Sequence, residues 1–318
     1  MILETSGLSK VYPSGVGCRD ISVRVKQGTA FGLLGPNGAG KSTFVKMIVG
    51  LLKPTSGSGA VMGNPIGRTE ARRHIGYLPE LFRFQDWLTA REVLAFHGRL
   101  AGLSAAANRS PGQQRRIREV LSLVGLDGRG DDRVRHFSKG MQQRLGIACA
   151  LLTDPELIIL DEPASALDPI GRFEVRSLLQ ELRRQGKTIF LNTHLLEDVE
   201  ALCDEVAFVY HGKLKAVGPL RDIIGSTGRW EISVGGWLPG LLEEIRGALI
   251  PGTELHVREE RPDGSAVLTA VVREREQVGW INRLLSELEL TLYEVRPVTE
   301  NLEQWFLSLA DGKEDTPC

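Results

Sequence analysis

Residues 31–43 read FGLLGPNGAGKST and contain the pattern G-x-x-x-x-G-K-[ST] between a predicted buried strand and a predicted helix. Glycines in such a loop let backbone N–H groups converge on phosphate oxygens, and the following helix adds the positive end of its dipole. Lys41 is expected to reach the β- and γ-phosphates of a nucleotide, and the hydroxyl of Ser42 is expected to face Mg²⁺. The stretch therefore predicts a phosphate-binding loop. Its residues are Gly35, Pro36, Asn37, Gly38, Ala39, Gly40, Lys41, Ser42 and Thr43.

A second motif, ELIILDEP at residues 156–163, predicts a buried strand that ends in Asp161 and Glu162. In an open α/β sheet this end lies at the same edge as the phosphate-binding loop, because ligands bind at the carboxyl ends of the strands. Two adjacent negative charges repel each other at this edge, which costs free energy unless a cation compensates them. We expect Asp161 to hold Mg²⁺ and Glu162 to accept a proton from an attacking water molecule. Solvated residues at a strand end are the alternative.

Four further residues combine a local structural role with a candidate functional one. In FSKGMQQR, Ser138 and Gly140 open a predicted helix whose free backbone N–H groups attract anions. Asp168 in SALDP is placed to cap a helix that has Pro169 at its first position. His194 follows another buried strand at the edge where a nucleotide is expected, although a lone histidine there can also be structural. The chain already has a phosphate-binding loop for a nucleotide of its own. The residues alone therefore leave open which phosphate the start of this second helix would bind.

The alternation of strand and helix patterns up to residue 224 predicts an α/β fold, a P-loop NTPase with a mixed, mostly parallel sheet. Strand signals disappear between about residues 86 and 140, where helical spacing takes over, so this part is predicted as a helical insertion. Thr89 and Glu92 form a predicted capping box at the start of one of its helices. The first domain is therefore expected to span residues 1–224.

The composition changes after residue 224, where Gly and Ser residues form a predicted linker. Residues 225–310 show the order strand, helix, two strands, helix, strand and helix, which predicts a small α+β domain of ferredoxin-like character. Its last helix is predicted over Thr299–Leu309, and the tail at 311–318 is predicted to be disordered. We recognise no catalytic group of residues in this second domain.

The chain has 318 residues, with 39 Lys and Arg against 40 Asp and Glu and a formal net charge of −1. This balance gives no basic field of the kind that nucleic-acid binders use, so no nucleic-acid partner is expected. The 4 cysteines are scattered without a C-x-x-C pair, which argues against a metal site or a disulfide framework. The sequence shows neither a signal peptide nor an apolar run of the roughly 20 residues that span a bilayer. A cytoplasmic protein is therefore expected.

Six motifs occur in order along residues 1–224: GPNGAGKS, YLPE, FSKGMQQR, LIILDEP, SALD and NTH. Their order and spacing resemble those of the ATP-binding subunits of ABC transporters. The resemblance implies an ATPase that converts ATP and water to ADP and phosphate, and that works as a head-to-tail dimer around two ATP molecules. Each ATP would lie between the phosphate loop of one subunit and the signature helix of the other. Ser138 and Gly140 would then contact the ATP bound by the second subunit.

The same resemblance implies roles for further residues. Tyr12 would stack on adenine, although an aromatic residue packed on an edge strand is the alternative. His194 would hydrogen-bond the γ-phosphate and help to position the attacking water, with Glu162 as the base. Asp168 would lie at the dimer contact. Electrostatic positioning, rather than covalent chemistry, would supply most of the rate.

Two motifs depart from the family's usual pattern. The usual signature is L-S-G-G-Q, whereas residues 137–141 read FSKGM, so a lysine replaces the first glycine and a methionine replaces the glutamine. The family most often has glutamine near the magnesium ion, and this chain has Glu80 there, a candidate metal ligand beside Ser42 and Asp161. Both departures resemble the motifs of one branch of exporter ATPases, those that pair with small membrane subunits of the ABC-2 type.

The leading hypothesis is an energy-coupling subunit that dimerises with itself or a homologous ATPase and drives a separate integral-membrane permease for export. It would bind the permease through its helical insertion and the segment after Glu80, on the inner face of the cell membrane. The alternative is a soluble ABC-type ATPase that acts on ribosomes or nucleic acid. Such relatives usually carry two nucleotide domains or a long coiled coil between the motifs, and this sequence has neither. A P-loop kinase or GTPase would have no use for the signature helix.

Overall fold

The structure is a computed structural model of the chain. It describes residues 1–103, 111–223, 226–238 and 240–299, together with Leu302 and Trp305. The chain forms two compact units, Met1–Leu220 and Arg221–Cys318. Each unit has its own sheet and its own hydrophobic core.

The first unit is built on one large sheet. Its strands are β1 (Leu3–Val11), β2 (Gly17–Ile21), β3 (Arg24–Val25), β4 (Ala30–Leu34), β5 (Ser56–Val61), β6 (Asn64–Pro65), β7 (Ile75–Leu78), β8 (Leu157–Asp161), β9 (Thr188–Asn192), β10 (Glu205–Tyr210) and β11 (Lys213–Pro219). They are ordered β6-β5-β1-β2-β11-β10-β4-β9-β8-β7, with β3 paired to β1. The strands from β10 to β7 in this order pair in parallel, and β1 pairs antiparallel with β2, β3 and β5. The sheet is therefore mixed, as predicted.

Helices cover this sheet and build the insertion. They are α1 (Lys41–Ile48), α2 (Thr69–Arg73), α3 (Ala90–Leu100), α4 (Pro111–Leu123), α5 (Lys139–Leu151), α6 (Pro169–Arg184), α7 (Leu196–Leu202) and, at the boundary of the unit, α8 (Leu220–Ile223). Strands β4, β8 and β9 are buried at every position, which explains why they are mostly apolar, with the polar residues of β8 and β9 confined to the strand ends. Phe31 of β4 stacks on Phe190 of β9 at 5.4 Å between ring centroids, and Phe44 of α1 lies 6.5 Å from the same ring. This packing fixes the strand ends that carry the site.

Between β7 and β8 the described residues form helices α3, α4 and α5 joined by loops, in agreement with the predicted insertion. Thr89 caps α3, because its hydroxyl accepts a hydrogen bond from the N–H of Glu92 at 3.2 Å. The carboxylate of Glu92 accepts one from the N–H of Thr89 at 2.8 Å, so the predicted capping box is confirmed. Helix α4 begins at Pro111, a residue type that suits a first helical turn because its missing N–H needs no partner there.

The second unit is a small α+β domain. Its elements are β12 (Ser226–Gly235), α9 (Leu241–Ala248), β13 (Glu254–Glu260), β14 (Ser265–Val271), α10 (Glu276–Glu287) and β15 (Thr291–Thr299). The strands are ordered β13-β14-β12-β15, and every pair is antiparallel, which is the arrangement of a ferredoxin-like sheet. Ile232, Val234 and Leu268 of the sheet belong to one buried core with Ile245 of α9 and Ile281 of α10.

The end of the second unit is described in part. Thr299 closes β15, and Leu302 and Trp305 are helical and buried. The rest of the predicted helix over Thr299–Leu309, and the tail at 311–318, lie outside the described residues. In the part of the chain that the structure describes, no helix is long and apolar enough to cross a membrane.

Candidate functional site

The phosphate-loop residues connect the end of β4 to the start of α1, as the sequence pattern predicts. Two of the glycines lie against neighbouring backbone. A Cβ atom on Gly35 would lie 2.1 Å from the carbonyl oxygen of Val209, and one on Gly40 would lie 2.5 Å from that of Gly17. Both glycines also have positive φ, so any side chain would clash and strain the loop. These contacts fix the loop backbone directly before the first turn of α1.

The ammonium group of Lys41 is turned into this loop. The residue is 6% exposed, and its Nζ donates hydrogen bonds to the carbonyl oxygens of Gly35 at 2.7 Å and Pro36 at 3.2 Å. Burial lowers the pKa of Lys41, while nearby carboxylates, Glu162 first, act in the opposite direction. A phosphate group in the loop would offer this cation a charged partner and a stronger hydrogen bond than a carbonyl does.

Asp161, the last residue of β8, lies opposite Asn192, the last residue of β9. The Nδ2 of Asn192 donates a hydrogen bond to Oδ1 of Asp161 at 2.5 Å. Burial raises the pKa of Asp161, and this hydrogen bond acts to lower it. The amide oxygen of Asn192 is buried and has no hydrogen-bond partner among the described residues. Because such an orphan acceptor costs about 1–3 kcal/mol, the site favours a ligand that supplies a donor or a cation.

Glu162 follows Asp161 in a backbone conformation that is uncommon outside glycine, with a φ of +53°. Its N–H donates to the carbonyl oxygen of Asn192 at 2.8 Å, which ties this turn to the end of β9. Its Oε2 lies 2.9 Å from Nδ1 of His194 and accepts a hydrogen bond from the hydroxyl of Thr193 at 3.4 Å. The turn and these two partners orient one carboxylate oxygen beside the phosphate loop.

A pocket of about 410 Å³ opens beside the loop and brings Lys41 together with Glu80, Glu162 and His194, which are far apart in sequence. The residues that line it are Val16, Asn37, Gly38, Ala39, Gly40, Lys41, Ser42, Thr43, Glu80, Glu162, Ser165, Asn192 and His194. We call this the phosphate-loop pocket. Most of the predicted nucleotide, metal and catalytic residues therefore meet in one place.

Tyr12 does not line the phosphate-loop pocket, whereas Val16 in the same turn does. The N–H of Tyr12 donates to the carbonyl oxygen of Val16 at 3.0 Å, and Nζ of Lys10 lies 5.8 Å from the centroid of the Tyr12 ring. Tyr12 is half-buried at the end of β1. Stacking of its ring on adenine stays a prediction.

Ser138 and Gly140 line a different pocket, of about 470 Å³, together with Asp168. We call it the signature pocket. The hydroxyl of Ser138 caps α5 and accepts from the N–H of Met141 at 3.2 Å, while Oδ1 of Asp168 caps α6 and accepts from the N–H of Gly171 at 2.8 Å. Among the described residues, none lines both pockets. The two predicted phosphate-binding regions of one chain therefore line different pockets, whose linings come next to each other in the chain at Ser165 and Ala166.

The sequence interpretation did not single out Val16, Ser165 and Asn192 as residues of the phosphate-loop pocket, although Ser165 lies in the SALD motif. Asn192 gave a usable signal, because it is the polar residue that ends a buried strand, as Asp161 does. Val16 gave none, since it is an apolar residue in a turn and reaches the pocket through the packing of the β1–β2 hairpin.

Comparison with known proteins agrees with this geometry. The family described as ABC transporter matches residues 18–165. The bacitracin transport ATP-binding protein BcrA of Bacillus licheniformis is 35% identical over 317 residues, covering 98% of each chain. The linearmycin resistance ATP-binding protein LnrL of Bacillus subtilis is 34% identical, covering 97% of this chain and 98% of its own. An uncharacterised ABC transporter ATP-binding protein of Synechocystis is 41% identical over 244 residues, covering 74% of this chain and 68% of its own. The chain belongs to the ABC transporter family, as an ATP-binding subunit.

Two solved structures give the same result. An ATP-binding subunit of an ABC transporter has a TM-score of 0.61 and 36% identity, covering 70% of this chain and 92% of that one. A dimeric ATP-binding cassette in a post-hydrolysis state, bound to ADP and Pi, has a TM-score of 0.61 and 26% identity. The match covers 69% of this chain and 99% of that one. The predicted fold class and the predicted enzyme class are confirmed: the protein is an ATPase that binds ATP.

Proposed function

We propose that this chain works as one half of a head-to-tail ATPase dimer, formed with a second copy or with a homologous subunit, that drives a separate export permease. The observation that carries the proposal is that Ser138 and Gly140 do not line the phosphate-loop pocket of their own chain but a different pocket. A second subunit, turned head to tail, would bring the two pockets to the same ATP. The dimeric cassette that holds ADP and Pi supports this arrangement.

The phosphate-loop pocket would hold the β- and γ-phosphates through Lys41 and the loop N–H groups. Ser42, Asp161 and Glu80 offer oxygen atoms for Mg²⁺, which prefers hard oxygen ligands. No cluster of three or more His, Cys, Asp or Glu side chains within the described residues could hold a metal ion alone. That fits Mg²⁺, because this ion is usually bound by one or two carboxylates together with substrate phosphates. When bound, it would neutralise charge on the β- and γ-phosphates.

Glu162 is the residue to which we assign the role of general base. Its oriented Oε2 can accept the proton of a water molecule as that water attacks the γ-phosphate. His194 contacts this carboxylate through Nδ1, so when both ring nitrogens carry a proton its Nε2–H can donate a hydrogen bond to a γ-phosphate oxygen. The two side chains would thus place the water and the phosphate relative to each other, and such positioning is the main contribution a protein makes to phosphoryl transfer.

The partner subunit would complete each site from its signature pocket. Ser138, Gly140 and the first turn of α5 would donate hydrogen bonds to the γ-phosphate held by the other chain. Asp168, which caps α6 in the same pocket, would lie at the dimer contact. On the opposite side of the nucleotide, Tyr12 would stack on adenine.

A groove of about 330 Å³ in the first unit is where we place the permease contact. It is formed by the segment after Glu80 and by α3 and α5. Its aromatic and apolar lining includes Tyr77, Phe82, Phe84, Leu100, Ala101, Cys149 and Ala150. Leu100 in the groove and the neighbouring Leu81 are 70% and 86% exposed. Leucines this exposed beside an apolar groove favour a protein partner.

Tyr77 links this groove to the nucleotide site. It lines the groove, and its pKa is raised to about 12 by burial and by the negative charges of Asp161 and Glu80. Two residues beyond β7, Glu80 lines the phosphate-loop pocket, so one short segment borders both the groove and the nucleotide site. This connection supports the idea that nucleotide chemistry and permease contact are coupled through β7.

The direction of transport is proposed from relatives. BcrA and LnrL are named for bacitracin transport and linearmycin resistance, and a Nod factor export protein of Cupriavidus pinatubonensis is 37% identical over 256 residues. We infer an exporter whose ATPase subunit lies on the cytoplasmic face of the cell membrane, attached through its permease. Action on ribosomes or nucleic acid has weaker support, because the net charge of −1 supplies no basic field.

A mixed dimer tests the shared-site arrangement. One subunit carries Lys41→Ala, and the other carries Ser138→Arg with Gly140→Asp, which places bulk and negative charge in the signature pocket. If the sites are shared, one composite site receives both lesions and the other receives none. A mixed dimer isolated through two affinity tags should then occlude ATP at one site, while each variant's homodimer occludes none.

Occluded ATP per dimer is the measurement, because turnover also depends on coupling between the sites. If each chain used its own signature pocket, both sites of the mixed dimer would be damaged. A complete loss of occluded ATP in the mixed dimer, with normal occlusion by the wild-type dimer, would rule out the shared site.

A further inference from the structure

Asn192 lies between the two strands that carry the phosphate loop and the acidic pair. In register it is opposite Leu33 of β4 on one side and Asp161 of β8 on the other. The residue is 1% exposed, yet it lines the phosphate-loop pocket. Its backbone carbonyl accepts from Glu162, and its Nδ2 donates to Asp161. The side chain is therefore fixed by the acidic pair, with its amide oxygen as the remaining polar atom.

That amide oxygen has no partner among the described residues. A buried orphan oxygen does not by itself indicate a ligand, since Asn282 in α10 of the second unit has one as well. The difference is the surroundings: Asn192 lines the same pocket as Lys41, Ser42 and Glu80, and it is bonded to a candidate metal ligand. Buried polar groups without partners at such places are often satisfied by a bound ion or its water.

We propose that Asn192 is a positioning residue for the magnesium site, with Nδ2 holding Asp161 and Oδ1 accepting a hydrogen bond from a water molecule of the bound Mg²⁺. The inference rests on the proposed function, which places Mg²⁺ beside Asp161. Bound Mg²⁺ usually keeps several of its waters, so a neutral acceptor near it has a donor to pair with. Groups that orient metal ligands in this way tune the affinity for the metal.

The residue type agrees with this role. An aspartate at position 192 would bring a second carboxylate against Asp161, and the two negative charges would repel each other. A leucine would fill the same space with neither a donor nor an acceptor. Asparagine alone among the three offers a donor to the carboxylate and an acceptor to a hydrated cation without adding charge.

Binding of AMP-PNP, a non-hydrolysable ATP analogue, to the full chain tests the proposal without relying on activity. Affinity is measured by calorimetry in excess Mg²⁺ and again in EDTA, and the ratio of the two affinities reports the magnesium effect. Asn192→Leu is expected to reduce that ratio by about 10-fold or more, the usual cost of losing a partner that orients a metal ligand. The affinity in EDTA should stay within about twofold, since no phosphate contact changes.

Asn282→Leu is the matched control, because it removes another asparagine with a buried unpaired oxygen, outside the nucleotide site. It should leave the magnesium effect within about twofold of wild type. If Asn192→Leu does not fold, Asn192→Ser replaces it, since serine is too short to make both contacts, and the same reduction is expected.

An unchanged magnesium effect in the Asn192 variant would overturn the proposal, and so would an equal loss of affinity in Mg²⁺ and in EDTA. Either result would leave the proposed function intact. Wild-type chain that binds AMP-PNP without any magnesium effect would also overturn it. If wild-type chain fails to bind AMP-PNP under both conditions, the proposed function fails as well, so the two failures are distinguishable.

Discussion

The phosphate-loop pocket and the signature pocket both face a phosphate in the proposed dimer, but they are built differently. The first has a buried cation, Lys41, which is bonded to the loop carbonyls, and its lining residue Asn192 holds the buried carboxylate of Asp161 at the end of β8. The second has exposed Ser138 and Lys139 at the start of a helix. One pocket contains the groups for chemistry, and the other can add hydrogen bonds from a helix start. The carboxylates of the second pocket have structural partners, since Asp168 caps α6 and Glu174 lies 3.6 Å from Arg144.

In the proposed dimer, the reacting groups and the groups that complete the site therefore come from different subunits. Groups that must hold charge are placed where sheet packing prevents them from moving, because a buried charge needs fixed partners. Groups that complete the site from a second subunit can be simple helix-end donors. Hydrolysis would then depend on the phosphate-loop pocket for its reacting groups. It would depend on the signature pocket to complete the ATP site when the two subunits come together.

The largest expected effect is that of Glu162→Gln, which removes the base from the phosphate-loop pocket while keeping the side chain's shape. ATP hydrolysis should fall about 100- to 10,000-fold, the usual contribution of a general base. ATP affinity should stay within about threefold, because the glutamine removes a negative charge near the phosphates and breaks no phosphate contact.

Glu156→Gln is its matched control. Glu156 directly precedes the other end of β8 and contacts His74 at 3.0 Å, so its loss should change hydrolysis by about twofold or less. The rate of ATP hydrolysis is measured for both purified variants and for the wild type. Normal cycling by Glu162→Gln would show that another group is the base.

A smaller effect is expected for Lys41→Ala, which removes the cation of the phosphate-loop pocket. Nucleotide affinity should fall by about 100-fold, because the charge of the β- and γ-phosphates loses its nearest compensation. Lys139→Ala removes the exposed lysine of the signature pocket, and it should change the affinity of the monomeric chain by about twofold or less. Titration with a fluorescent nucleotide measures both. Equal losses of nucleotide affinity in the two variants would contradict the proposed difference between the pockets.

The smallest effect is expected from removal of the second unit. A chain of residues 1–223 retains both pockets and the core of the first unit, and the second unit has a core of its own. Its nucleotide affinity should match that of the full chain within about twofold, measured by calorimetry on soluble, folded protein. A clear loss of affinity would mean that the second unit contributes to a pocket that we assign to the first.

Local sequence patterns were enough to predict much of this protein. The glycine spacing at 35–40 predicted the loop because glycine is the residue type that tolerates such close backbone contacts. The apolar run before Asp161 predicted a buried strand with its acidic end at the ligand edge. The capping box at Thr89 was predictable because its hydrogen bonds join residues three positions apart.

The tertiary structure alone decided which distant residues meet. Asn192 pairs with Asp161, and Glu80 joins Lys41 in one pocket, because the chain order of the strands differs from their order in the sheet. The separation of Ser138 from the phosphate loop is likewise a result of packing, since either helix start could bind an anion on local grounds. Sequence determined what each segment can do, because hydrogen bonding and burial over a few residues are local. The packing of the sheet determined which of these segments act together, because that depends on contacts between residues far apart in the chain.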